Sequence, residues 1–174
     1  MLSAIQTYLT KENIMTKHSS LKALALSSLI FTGIVGYASA QANETQCIAI
    51  GGLGMPNFVP QVDGTITIVA PLSGSVATAS GKITAQRKTK TGLEMDMEHY
   101  FMNEKGGFMH TKDLGILTRV EGKENHYMIE ISYQVQPEST SGVLKGFKGN
   151  FKSYGLVDLK KLQGLIRYSG EICK

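Results

Sequence analysis

From residue 65 onward, apolar and polar side chains alternate with a period of two, and no apolar stripe at helical spacing outlasts two turns. That single feature restricts the chain to half-buried strands. Ile66 and Ile68 share one face of a strand that stops at Pro71. Lys82 to Lys90 reads as extended and is punctuated by Gly92. Leu93, Met95, Met97, His99 and Phe101 then share a face opposite Glu94, Asp96 and Glu98. Asn103-Glu104-Lys105-Gly106-Gly107 is a hairpin signal, followed by a strand through Thr111 and another piece from Leu114 to Val120. After a turn at residues 121–125, Tyr127, Ile129, Ile131, Tyr133 and Val135 alternate with Met128, Glu130, Ser132 and Gln134. Val143, Phe147 and Phe151 fall on one face of a further strand, residues 155–161 read as a connection with one helical turn, and Ile166, Tyr168 and Ile172 alternate in the last segment.

Six to eight strands joined by short turns, with no unit of about 30 residues to hold a crossover helix, give an all-β fold with a single antiparallel sheet. The short connections favour sequence neighbours as pairing partners, so a closed barrel is expected, with a sandwich as the alternative.

The first forty residues obey a different pattern. Lys17 and Lys22 precede an apolar run from Ala23 to Val35, and Ala38-Ser39-Ala40 supplies the small residues of a signal-peptidase site. The run is shorter than the roughly 18 residues of a membrane span and is broken by Ser27, Ser28 and Thr32. The expectation is an N-terminal extension with a cleavable signal-peptide helix over residues 1–40, a true translation start at Met15, and a barrel domain over residues 41–174. The exported chain would be periplasmic or secreted and would keep no stable membrane anchor after cleavage. Of the 18 Lys+Arg and 14 Asp+Glu, the leader holds Lys11, Lys17, Lys22 and Glu12, leaving 15 against 13. That balance is too even to point to nucleic acid or an anionic surface.

Both cysteines, Cys47 and Cys173, lie in the exported part, one near each end. In an oxidising compartment two cysteines most simply form one disulfide, here across 126 residues (173 − 47). A two-thiolate metal site would need other ligands, and none stands close in sequence.

The last third also has a recognisable cadence: Gly142-Val-Leu-Lys-Gly-Phe-Lys-Gly-Asn-Phe, then Tyr154-Gly-Leu-Val-Asp-Leu, then Leu165-Ile-Arg-Tyr-Ser-Gly-Glu-Ile-Cys173. It resembles the C-terminal part of secreted allene-oxide-cyclase-like and dirigent-like barrel proteins, most of them without an assigned function. Thr111-Lys-Asp-Leu-Gly-Ile-Leu fits the same cadence. The resemblance implies a barrel and carries no catalytic set onto these positions.

For chemistry, the informative stripe is Met95, Met97, His99 and Phe101. Together with Tyr133, Phe147 and Tyr168 it would line the interior of a barrel wide enough for side chains or one small apolar ligand. A non-enzymatic binding module follows, with no cofactor. Thioethers and imidazoles also suit Cu(I), so Met95, Met97 and His99 with His110 form an alternative copper site. No nucleophile elbow, metalloprotease helix or calcium loop occurs, and Gly51-Gly52-Leu53-Gly54 lacks the Lys-Ser/Thr of a phosphate cradle and reads as a flexible entry loop. No catalytic residue is assigned. A cyclase- or isomerase-like barrel, which needs a polar group inside the cavity, and a pocketless structural or host-interaction protein are the remaining alternatives. Whether His99 and Glu130 point inward separates the enzyme reading from the others.

Overall fold

The computed structural model describes residues 45–174. The leader, the Met15 start and the signal helix lie outside the described residues. The domain consists of nine antiparallel strands: β1 (Cys47–Gly54), β2 (Asn57–Pro60), β3 (Ile66–Pro71), β4 (Thr78–Lys88), β5 (Gly92–Met102), β6 (Phe108–Arg119), β7 (His126–Val135), β8 (Lys148–Asp158) and β9 (Gln163–Cys173). From β2 to β9 each strand pairs with its sequence neighbour, and β9 returns to β2 through Asn57 and Gln163, closing an eight-stranded barrel. Two backbone bonds of 2.8 Å, Phe58 N–H to the Leu162 carbonyl and Gly164 N–H to the Pro56 carbonyl, hold the same seam. Closure gives each strand from β2 to β9 a neighbour on both sides among the described residues.

β1 is the additional strand, pairing with β9 from Cys47↔Cys173 to Gly54↔Ile166. It continues into β2 after a break at Met55 and Pro56, and Pro56 has no N–H to offer a ladder. Gly51–Gly54 is therefore strand rather than the expected flexible loop. Its free edge is met by the turn after β3: Ser73 N–H donates to the Leu53 carbonyl at 2.9 Å, and Ser75 N–H to the Gly51 carbonyl at 3.1 Å. A Cβ on Gly52 would collide with the Ser73 carbonyl, which is why a glycine stands there. The Cys47–Cys173 disulfide is formed, with the two Cα atoms 4.1 Å apart at directly paired positions.

Three local expectations are corrected. β6 is continuous across Lys112 and Asp113, because the hairpin at Asn103–Gly107 fixes its register against β5 residue by residue from Met102↔Phe108 to Gly92↔Thr118. Residues 143–147 are not strand: the turn-forming segment at residues 137–142 continues past them, with two 3-10 turns at Pro137–Ser139 and Gly142–Leu144. Pro137 withholds a ladder donor, and Gly142 adopts φ 58°, which a glycine accepts freely. Val143 is consequently exposed, while Leu144 and Phe147 are buried. Finally, β8 runs through Gly155 to Asp158, and no helical turn intervenes before β9.

The barrel interior is filled by alternate residues of every stave. Met95, Met97, His99 and Phe101 from β5 face Met109, Thr111, Asp113 and Leu117 from β6, followed by Ile129, Ile131, Tyr133 and Val135 from β7. Phe151, Ser153 and Val157 from β8 and Ile166, Tyr168 and Ile172 from β9 complete the ring. Interleaved positions face out. Glu94, Asp96 and Glu98 stand on the outer face, where Arg87 bonds both Glu94 and Asp96 and Lys82 lies 3.4 Å from Glu98.

Candidate functional site

Among the described residues, one ionisable pair sits inside this largely apolar ring. His99 Nδ1 lies 2.6 Å from Asp113 Oδ2, with the two side chains 5% and 0% exposed. Their meeting follows from the β5–β6 hairpin: His99 pairs with Thr111 and Met97 with Asp113, so His99 and Asp113 are diagonal neighbours on the inward face, within reach for an imidazole. The ring's place is cut by Gly81, opposite it on β4, where a Cβ would stand 2.5 Å from His99 Cδ2. Burial pushes the Asp113 carboxyl above its ordinary value, and the contact with His99 pulls it partly back. Asp113 Oδ1 and Thr111 Oγ1 remain buried without a hydrogen-bond partner. Unpartnered buried oxygens cost stability, and they mark this cluster as the place where the core departs from pure packing.

Aromatic rings fix the surroundings. Tyr133 meets His99 edge-on at 5.5 Å and stacks on Phe151 at 4.5 Å, and Phe101 contacts both Tyr133 and Phe151 edge-on at 5.4 Å. Tyr133 Oη and Ser153 Oγ are hydrogen-bonded at 3.0 Å, and burial raises the Tyr133 phenol, so it stays protonated. Beyond this cluster opens a cavity of about 30 Å³, lined on one side by Met97, His99, Phe101 and Tyr133, and on the other by Phe58, Ile68, Ile166 and Tyr168. That is room for about two or three water-sized groups. Tyr168 presents its ring to the cavity while its hydroxyl donates to the Ser73 carbonyl at 2.6 Å, pinning the turn that backs β1. No family model, curated protein or solved structure matches this chain.

The expected lining residues divide. Met97, His99, Phe101, Tyr133 and Tyr168 line the interior cavity, and Met95 and Phe147 are buried in the core away from it. Phe147 lies at the barrel end, under the Lys174 ammonium at 4.9 Å. The alternative soft-metal set does not converge. His110 pairs with Tyr100 and stacks on it at 4.7 Å on the outer face, with Glu98 3.9 Å from its Nε2, while Met95, Met97 and His99 face inward. Among the described residues, the one cluster of three His, Cys, Asp or Glu ligand atoms is Cys47, Glu171 and Cys173, whose sulfurs are spent on the disulfide. Glu130 faces outward, 3.3 Å from Lys152, so His99 is the inward member of the two residues that were to separate the readings.

Asp113 escaped the sequence reading because a Lys-Asp pair between two apolar pieces looks like a break in a strand. The signal was present: carrying the hairpin register back from Asn103–Gly107 places Asp113 opposite Met97 and His110 opposite Tyr100.

Proposed function

We propose that this chain is an exported, non-enzymatic binding module that holds a small, largely apolar molecule inside the barrel. The observation that carries the reading is the interior cavity bounded by Met97, Phe58, Ile68, Phe101 and Tyr168, with His99 as its polar wall. An apolar pocket with few convergent polar groups is the usual form of a small-molecule site. A guest of more than a few heavy atoms needs added room, and Met97, with three rotatable bonds, is the lining residue best able to yield it. The Cys47–Cys173 bond suits a non-reducing compartment, periplasmic or extracellular, which agrees with the signal-like leader. Native mass spectrometry of protein purified from its own host tests the reading: a reproducible adduct lost on unfolding supports it, and an invariably empty barrel refutes it.

The His99–Asp113 pair favours one second reading, an isomerase- or cyclase-like enzyme in which the imidazole exchanges a proton with the guest. Host extract processed by the wild type and not by His99→Gln would establish that activity.

A further inference from the structure

We infer that the polar atom of the guest is a hydrogen-bond acceptor, as in a small ketone or aldehyde, because the His99–Asp113 pair presents an Nε2–H to the cavity. This deepens the binding reading above and rests on it. The argument is one of proton counting. With both side chains almost wholly enclosed by Phe101, Tyr133 and Ile131, a net charge on the pair is costly, and the favoured state is net neutral. That state holds two protons: one shared across the 2.6 Å contact and one other. If the shared proton lies on Nδ1, the ring is an imidazolium and Nε2 carries a hydrogen. If it lies on Asp113, Nδ1 is an acceptor, and a neutral imidazole must then carry its hydrogen on Nε2. Both placements leave Nε2 a donor. Only the net-negative pair, with a carboxylate and a neutral ring protonated at Nδ1, turns Nε2 into an acceptor, and no Lys or Arg among the described residues lies within salt-bridge reach of Asp113 to support that charge.

Asp113 occupies Nδ1 and the Cδ2 edge faces Gly81, so the far edge of the ring, which carries Nε2, is the part of His99 left to line the cavity, and Nε2 makes no hydrogen bond to any described residue. A carbonyl oxygen placed against Nε2–H would satisfy the donor, and its alkyl groups would lie against Phe58, Ile68 and Met97. A pure hydrocarbon fills the same space and leaves the donor unmet, and a buried unmet donor is penalised.

Acetone and isobutene test this directly, since they share one shape and differ in C=O against C=CH₂. Each is titrated into the intact, oxidised protein while the His99 ring ¹⁵N and ¹H resonances and the Met97 methyl are followed by NMR. The expected result is a protonated Nε2 in the free protein, a Met97 methyl that moves with both probes, and a His99 Nε2–H that moves downfield with acetone alone. An unprotonated Nε2, or an Nε2–H unmoved by acetone while the Met97 methyl responds, overturns the inference and leaves the binding reading standing. A Met97 methyl that answers neither probe refutes the binding reading itself, and this inference with it.

Discussion

Separating His99 from Asp113 should be far more damaging than removing them together. The pair is 2.6 Å apart with exposures of 5% and 0%, which places it among buried ion pairs rather than surface ones. Truncating one partner of such a pair strands the other without compensation and costs about 3–5 kcal/mol. Asp113→Leu and His99→Leu should each show that loss. The double variant His99→Leu/Asp113→Leu removes both polar groups and should lie within about 2 kcal/mol of wild type, because a buried pair and an apolar pair of similar volume are close in stability. Urea unfolding at pH 7, with the disulfide intact, reads this out. With a slope of about 1–3 kcal/mol per molar urea, each single variant should lower the midpoint by about 1 M or more. The double variant should recover most of that shift, a coupling of about 4 kcal/mol or greater. Strictly additive losses would refute the reasoning, since they would mean each side chain is satisfied independently of the other. Single losses below about 1 kcal/mol would equally show that the pair is solvated.

Asp113 should titrate above the 3.8 of an ordinary aspartate, followed through its side-chain carboxyl ¹³C shift. The sign is fixed: the native state holds this proton more tightly than the unfolded chain, so the group's contribution to stability falls as pH rises from 3.8 through the native value. Reducing the disulfide should lower stability by up to about 5 kcal/mol, the chain-entropy figure for a loop of this length, with a lower urea midpoint and an unchanged far-ultraviolet strand signature in native buffer. Met97→Ala should cost about 2–5 kcal/mol and open the cavity to benzene-sized guests, seen as a benzene-dependent rise in melting temperature absent from the wild type. Arg87→Ala should change stability little, since its two carboxylate partners sit on the solvated outer face and its own side chain is 47% exposed.

The barrel was legible because alternation is a direct consequence of the pleat, and short polar turns leave strands little choice but to pair with their neighbours. Phe101, Tyr133 and Tyr168 could be placed inside by parity alone. What parity could not supply was the identity of the polar partner. Asp113 belongs inward only when the strand is carried unbroken through Lys112 and Asp113, and a charged residue in an apolar ring becomes plausible only when His99 stands diagonally across from it. Gly81 was illegible for a related reason: its function is a space, and a space acquires meaning only once the imidazole filling it is known. Residues 143–147 do not read as a turn in the sequence because Val143, Phe147 and Phe151 have the spacing of one strand face, while Gly142 at φ 58° and Gly146 at φ 82° break the extended path.

The pairing of β1 with β9 sets a timetable for maturation. β1 finds its ladder partner in β9, so during synthesis Cys47 must wait until Cys173 has emerged. Oxidation of the two thiols thus follows synthesis of the whole of β9, and a bond formed earlier would have to be with a foreign thiol. A chain cut anywhere before Gln163 would have neither the stave that shuts the ring nor the sulfur that locks it.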